Sequence, residues 1–355
     1  MMTGANPVSA RHCRRLSADQ WPDAYSRDLI YRICCLTGSP TLLADQLQRG
    51  SPLQSAIARS DTAALFDWLM RMFSYQGISD QVALGFMEKH GSITYAQVTK
   101  AFASRLPCPK LGSFWNFYDC GYEKSAATCS EPSLLATCPL PDHPLRNGRL
   151  NQTAYSLALF LRDVTEDDLV AFIDAKIRTS SSANVGIHAD GHELVEAFRG
   201  IFGVSDKIIT MALSSLLLAA PKSLTHWRSV GAGLIVVDTL VHNFLDRTGI
   251  LKRANAEHPY GPKCYDRKGC ASALRSLATT VDASRFNPRY PANFPRFVQN
   301  AIWRYCSQDE LNVCNGNKID DRKSCSNQSC RFFATCDRLP LKMAKKAKRV
   351  AQIGI

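Results

Sequence analysis

The sequence lacks any apolar run long enough to cross a lipid bilayer. Its opening stretch "MMTGANPVSARHCRRLSADQ" contains no apolar core followed by a cleavage pattern. From these absences we expect no membrane span, no signal peptide and a cytoplasmic protein. The composition is also not that of a disordered protein, since 45% of the residues are hydrophobic and 21% are charged. Alternating strand and helix patterns are also absent, which argues against a parallel sheet.

Acidic residues are few relative to basic ones. The 355 residues include 43 Lys and Arg against 31 Asp and Glu, so the formal net charge is +12. A surplus of this size favours a polyanionic partner. A generically basic soluble protein would show the same surplus, so the charge does not identify the partner.

Apolar residues recur at helical spacing over most of the chain, and the pattern predicts an all-α fold. The stretch "SDQVALGFMEKHG" starts on a Ser79–Asp80 cap and stops at Gly91. The stretch "SDKIITMALSSLLLAA" has Ser205 at its N-cap and is apolar on almost every side, which predicts burial. Lys207 lies just inside the start of this helix, where it either reaches solvent or faces a cleft.

Three stretches carry a more specific pattern. "FSYQGISDQVA" reads as a helix, a polar turn with Gln76 and a second helix. "FGVSDKIITMAL" reads as a hairpin turn that leads into an apolar helix, and "VVDTLVHNFLDRTG" as an apolar run that ends in Asp238 before another helix. This order resembles the helix-hairpin-helix DNA glycosylase superfamily, and most of all its endonuclease III branch.

The resemblance spans about residues 60–340 but rests on short islands within them. The family hairpin reads Leu-Pro-Gly-Val-Gly-Arg-Lys-Thr-Ala, and Gly203, Val204 and Lys207 match it. The next family landmark reads Val-Asp-Thr-His-Val, which is matched by Val237, Asp238, Thr239 and Val241. The hairpin alone is a weak signal, whereas the hairpin, Val-Asp-Thr and a Cys-rich C-terminus together are specific.

The resemblance implies that Lys207 is a nucleophile and that Asp238 is its acidic partner. A hairpin between two helices points backbone N–H groups at a DNA phosphate. A free amine can attack C1′ of a nucleotide, displace the base and form a Schiff base that permits β-elimination. A carboxylate can stabilise the sugar cation and move protons, while Gln76 would fill part of the hole left by the flipped base.

Simpler explanations stay open at each of these positions. Lys207 could be a surface lysine, Asp238 a plain N-cap and Gln76 a polar turn residue. Ser205 stands where the family hairpin has its second glycine, and serine would cost stability if that position needs a positive φ. The Ser205 hydroxyl could instead cap the helix and contact the same anion.

An insertion, "AAPKSLTHWRSVGAG", separates Lys207 from Asp238 by more residues than the family has. It carries His226, Trp227 and Arg228, and we expect Arg228 to contact DNA. A basic and aromatic cluster of this kind could stack on DNA, and a packed loop tryptophan is the alternative.

Cysteines are numerous, with fourteen in a chain that we expect to be in a reducing compartment, where close clusters indicate metal ligands rather than disulfides. Cys264 and Cys270 form a loose pair. The spacing Cys-x10-Cys-x4-Cys-x5-Cys describes Cys314, Cys325, Cys330 and Cys336. Four thiolates can hold zinc or [4Fe–4S], and the resemblance implies the iron–sulfur cluster. Cys306 reads as a spare buried thiol.

A second cysteine group lies in a segment that the resemblance does not cover. Cys120, Cys129 and Cys138 are evenly spaced and His143 follows them. They could form a Cys₃His zinc site, or a Cys₄ site that includes Cys108, and the alternative is free thiols.

These patterns give a set of expectations for the whole chain. We expect an N-terminal extension (1–60) that packs on the second lobe, a helical barrel with the hairpin (61–249, Cys-rich insertion 105–150), a cluster-binding lobe (250–340) and a basic tail (341–355). The expected function is a DNA glycosylase with AP lyase activity, and the partner is double-stranded DNA with a damaged or abasic site. The rivals are a water-using glycosylase, a non-catalytic DNA-binding protein and a metal-stapled scaffold. We expect a nucleoid-associated monomer.

Overall fold

A computed structural model of the chain describes residues 21–103, 108–126, 128–143, 145–183, 191–314 and 319–341. These residues form helices and loops, and the β-type pairing among them is one isolated antiparallel bridge between Glu123 and Thr128. The predicted all-α class is therefore confirmed. The α-helices are α1 (Ala24–Thr37), α2 (Thr41–Gln46), α3 (Pro52–Ala58), α4 (Thr62–Phe73), α5 (Asp80–His90), α6 (Tyr95–Ala103), α7 (Phe114–Phe117), α8 (Asn151–Asp163), α9 (Leu169–Ala183), α10 (His192–Phe198), α11 (Asp206–Leu218), α12 (Thr225–Gly233), α13 (Thr239–Arg247), α14 (Ile250–Arg253), α15 (Cys270–Ala278) and α16 (Pro295–Cys306).

Two helices form the centre of the unit that spans residues 41–235. Ten of the thirteen residues of α8 and ten of the thirteen residues of α11 are buried. Helix α4 packs on both, and α12 packs along α11. Burial on nearly all sides is what the apolar sequences of α8 and α11 predict, because such helices have no polar face to present to water.

The other unit combines residues 1–40 with residues 236–355. Helix α16 is its centre, and α1, α13 and α15 pack against it. The Arg304 guanidinium of α16 donates a hydrogen bond to the Thr37 carbonyl oxygen (2.6 Å) at the end of α1. This contact holds the N-terminal helix on the C-terminal part of the chain.

The chain passes from one compact unit to the other between residues 40 and 41, and back between residues 235 and 236. The sequence pattern predicts these boundaries at 60/61 and 249/250 instead. Helices α2 and α3 pack on α11 and α4, so residues 41–58 belong with the hairpin. Helix α13 packs on α16, so the helix that follows Asp238 belongs with the C-terminal helices. Residues 1–20 and 342–355, which include nearly all of the basic tail, lie outside the described residues.

No single helix in the described ranges is long and apolar enough to cross a membrane. The stretches Asp206–Leu218 and Lys222–Gly233 reach the required length and composition only as a pair, and they meet at an angle of 119°.

Candidate nucleic-acid interface and metal centres

The predicted hairpin forms a tight turn at the start of α11. Gly203 has φ +73°, and a Cβ there would lie 3.3 Å from the Thr153 hydroxyl oxygen. The Thr153 hydroxyl in turn donates to the Phe202 carbonyl oxygen (2.9 Å). Positive φ and this close neighbour explain why glycine suits position 203. Ser205 has φ −84°, so serine at the family's second glycine position introduces no backbone strain.

Gln76 lies against the hairpin although the two are 129 residues apart in the sequence. Its side-chain oxygen accepts hydrogen bonds from the Ser205 backbone N–H (3.0 Å) and from the Ser205 hydroxyl (2.8 Å). The Arg146 guanidinium donates to the Gln76 carbonyl oxygen. The structure thus brings together two of the DNA-binding positions that the sequence pattern indicated.

Basic side chains gather beside Gln76. Arg146 is buried, Lys124 is half-buried and Arg149 is exposed. Burial lowers the pKa of Lys124, and the charges of Arg149 and Arg146 lower it further. Burial followed by the charge of Arg149 likewise lowers the pKa of Arg146. Three neighbouring cations, one of which contacts Gln76, form a region of positive potential that suits an anionic ligand.

Lys207 is exposed on the first turn of α11, whereas Val204 packs partly against the core of the unit. The neighbouring Asp206 forms an ion pair with Arg199 (2.8 Å). Lys207 therefore reaches solvent at the start of a buried helix, which is one of the two arrangements that the sequence allowed.

Asp238 is the N-cap of α13, as one of the sequence readings proposed. Its carboxylate accepts a hydrogen bond from the Val241 backbone N–H (2.9 Å), and the residue is half-buried. The nearby Arg296 is buried, and burial lowers its pKa to about 10 although the charge of Asp238 opposes the shift. Asp238 therefore caps a helix next to a buried cation. It belongs to the C-terminal unit, whereas Lys207 belongs to the unit of residues 41–235.

The inserted segment is structural in this conformation. Trp227 is fully buried and its indole N–H donates to the Asp174 carboxylate (2.9 Å), which is the packed tryptophan that the alternative predicts. The Arg228 guanidinium, predicted to contact DNA, donates two hydrogen bonds to the Ala220 carbonyl oxygen (2.9 and 2.6 Å). These contacts satisfy the carbonyl just past the end of α11, a position where a cation is favourable.

The four terminal cysteines line one mostly apolar cavity, together with Arg247 and Tyr305. The Tyr305 hydroxyl lies 3.2 Å from the Cys330 sulfur. Arg247 is 2% exposed, and one of its terminal nitrogens is buried with no hydrogen-bond partner. Cys306 is fully buried behind Cys314, and a hydrogen bond from it lowers the pKa of the Cys314 thiol. The other terminal nitrogen of Arg247 is paired with Asp321 (3.2 Å), so one unused donor beside the four sulfur atoms remains for an anionic group.

The middle cysteines are also brought near one another. The thiols of Cys108, Cys120 and Cys129 act electrostatically on Cys138, whose pKa burial raises to about 11. The His143 ring nitrogen lies 3.0 Å from the Tyr155 hydroxyl. The four cysteines are therefore neighbours, but their sulfur atoms do not form a set compact enough for one metal ion, and His143 is engaged by a tyrosine.

A different group is compact enough to hold a single metal ion. Among the described residues, one set of three or more His, Cys, Asp or Glu has ligand atoms that all lie within 4.8 Å of one another, and it consists of His242, His258, Cys264 and Cys270. In the sequence the two cysteines form a loose pair, and no local pattern associates the histidines with them. The spacing His-x15-His-x5-Cys-x5-Cys was the available signal, but His242 reads as an ordinary residue of an amphipathic helix.

No family model, curated protein or solved structure matches this chain. The candidate sites therefore rest on their own geometry.

Proposed function

We propose that the chain is a base-excision DNA glycosylase with AP lyase activity. The observation that carries the proposal is the contact between Gln76 and Ser205, at a positive-φ hairpin that opens α11. Sequence resemblance assigns both of these positions to the DNA interface of the endonuclease III branch. The contact between these two residues, which are 129 positions apart in the sequence, supports the proposal that both belong to one DNA-binding surface.

The hairpin supplies what a DNA phosphate requires. The first turn of α11 points backbone N–H groups toward the hairpin, and the helix dipole adds partial positive charge there. The Arg146 cation contacts the Gln76 carbonyl oxygen, and Lys124 and Arg149 lie near Arg146. Phosphate contacts of this kind fix the position of a duplex without reading its sequence.

Lys207 and Asp238 would perform the chemistry. The Lys207 amine would attack C1′ of the flipped nucleotide while the glycosidic bond breaks, and the base would depart with the bonding electrons and take up one proton from the amine. The C1′–O4′ bond of the sugar would then break, O4′ would take up the second amine proton, and an imine would form at C1′. Removal of a C2′ proton from this imine would expel the 3′ phosphate by β-elimination. Asp238 would stabilise the positive charge that develops on the sugar and accept or return protons.

The terminal cysteines would hold the [4Fe–4S] cluster that the resemblance implies. A single zinc ion bound at about 2.3 Å needs its four sulfur atoms within roughly 4 Å of one another. Cys314, Cys325, Cys330 and Cys336 do not form so compact a set, although they line one cavity. Wider spacing suits a cluster in which each thiolate binds a different iron atom. The cluster would stabilise this part of the fold.

Borohydride trapping tests the proposed chemistry. The full chain would be incubated with a duplex that contains one abasic site, reduced, and examined for a covalent adduct. We expect an adduct with the wild type, none with Lys207→Ala, and normal yield with Lys222→Ala, which removes another exposed lysine of the same unit. Absence of an adduct from folded, DNA-bound wild type would refute the lyase mechanism.

Non-catalytic DNA binding is the second candidate, and the exposure of Lys207 favours it. An exposed lysine at a helix start can contact a phosphate as readily as a sugar. In that case Lys207→Ala would lower DNA affinity slightly, and neither protein would form an adduct.

A further inference from the structure

We propose that His242, His258, Cys264 and Cys270 bind one zinc ion, at a site separate from the cavity of the terminal cysteines. The proposal does not depend on the DNA chemistry proposed above. It rests on the distances between four side chains that come from α13, from the loop of residues 254–269 and from the first residue of α15.

The distances match those of a tetrahedral metal site. Zn–S bonds of about 2.3 Å and Zn–N bonds of about 2.0–2.1 Å place neighbouring ligand atoms roughly 3.4–3.8 Å apart. The His242 Nδ1 atom lies 3.3 Å from the Cys270 sulfur and 3.6 Å from the Cys264 sulfur. The Cys270 sulfur lies 3.4 Å from the His258 Nε2 atom. Three of the six separations are thus close to those of a coordination tetrahedron, and the other three lie within 4.8 Å.

The chemistry of the donors selects zinc. Two thiols and two imidazoles form a mixed sulfur and nitrogen set, and a tetrahedral site of this kind favours zinc over the hard ions magnesium and calcium. His242, Cys264 and Cys270 are buried, and His258 is half-buried. Four ligands from the protein leave no coordination position for water, which is typical of structural rather than catalytic zinc.

The orientation of His258 is fixed from outside the group. Its Nδ1 atom lies 2.6 Å from the Ala256 carbonyl oxygen, which can only accept a hydrogen bond. Nδ1 therefore carries the proton, and the lone pair of Nε2 points to the Cys270 sulfur. Metal-binding histidines are commonly held by such a contact to a backbone carbonyl.

The backbone between the cysteines is folded tightly enough to keep them in place. A Cβ on Gly269 would lie 2.3 Å from the Lys263 carbonyl oxygen and 2.6 Å from that of Cys264. Backbone hydrogen bonds join Cys264 to Gly261 (2.9 Å) and Gly269 to Asp266 (2.9 Å). The loop of residues 254–269 contains one short 3-10 turn, Pro262–Tyr265, and a loop of this length gains order from a metal staple.

Metal content of the full chain tests the proposal. The protein would be produced with iron and zinc supplied, and both metals would be measured by mass spectrometry. We expect one zinc per wild-type chain, and loss of nearly all of it in Cys264→Ser and His258→Gln. Iron content should be retained in both variants. Cys34→Ala, which removes a buried thiol of the same unit outside both metal groups, should keep its zinc.

A second measurement on the wild type covers the case in which the variants fail to fold. Zinc would be removed with a chelator and cobalt(II) chloride added, and we expect the visible absorption bands of tetrahedral, thiolate-bound cobalt. Wild-type protein with neither bound zinc nor cobalt bands would overturn the proposal. Zinc content that is the same in folded Cys264→Ser as in the wild type would also overturn it, and so would iron in place of zinc at these four residues. None of these readouts involves DNA, so they do not depend on the outcome of the trapping experiment.

Discussion

Asp238 is the residue at which helix capping and the proposed chemistry coincide. One of its carboxylate oxygens accepts the Val241 N–H, and the residue lies near the buried Arg296. A cap needs only an acceptor atom, whereas stabilisation of a sugar cation needs the negative charge. Substitutions that separate the acceptor from the charge can therefore separate the two roles.

Asp238→Ala and Asp238→Asn form the matched pair. Alanine removes the cap, and we expect the free energy of unfolding to fall by about 1 kcal/mol in urea titrations. Asparagine keeps a side-chain oxygen that can cap the helix, so its loss of unfolding free energy from capping should be small. Any further decrease in the free energy of unfolding would be due to the missing negative charge near Arg296. On an abasic duplex, both variants should form the trapped adduct at least about a hundredfold more slowly than wild type, because general acid–base groups contribute that much or more. Wild-type rates in Asp238→Asn would leave Asp238 as a cap only.

At the scale of elements, the sequence predicted helix ends better than it predicted tertiary neighbours. Ser79, Ser205 and Asp238 occupy the N-cap positions of α5, α11 and α13 as expected, and of these three side chains only that of Asp238 accepts a capping hydrogen bond. The burial of Trp227 could not be foreseen in this way. Its indole N–H bonds to Asp174 on α9, and no local pattern in the insertion refers to that helix.

The set of His242, His258, Cys264 and Cys270 also could not be predicted from local sequence patterns. Its four side chains come from two helices and a loop, so they converge only because α13 packs near the start of α15. A pattern search for short Cys-x2-Cys pairs does not detect it, since the cysteines are separated by five residues. The terminal cysteines can be recognised from the sequence as candidate metal ligands, because four of them lie close together in it.

Gly269 offers a test of the loop element. We expect Gly269→Ala to lower the free energy of unfolding by about 1–3 kcal/mol, because its Cβ would overlap two backbone carbonyl oxygens that cannot move independently. Zinc content should fall with it. Gly233→Ala is the control, since a Cβ there has no heavy atom within 4 Å and should change stability by less than about 1 kcal/mol. Urea titration and metal analysis check both, and an unchanged Gly269→Ala would show that the loop accommodates a side chain.

At the scale of the whole molecule, the net charge of +12 predicts salt-sensitive DNA binding, but it does not say which cations contribute. The structure separates two classes of arginine in the unit of residues 41–235. Arg149 is exposed beside Lys124 and Arg146, whereas Arg178 is paired with Asp174 (2.6 Å) on α9. The charge of an arginine that is paired with a carboxylate is already compensated in the free protein. Such an arginine should therefore neutralise little phosphate charge, and few counterions should leave the DNA when the protein binds.

Titrating DNA binding against salt concentration distinguishes these classes. For each phosphate contact, the slope of log K against log salt changes by about 0.9. We therefore expect Arg149→Ala to make the slope shallower by about 1, with a similar weakening for every duplex sequence, because phosphate contacts carry no base preference. Arg178→Ala should leave the slope unchanged. Equal effects of the two substitutions would mean that total charge, rather than the surface beside Gln76 and the hairpin, governs association with DNA.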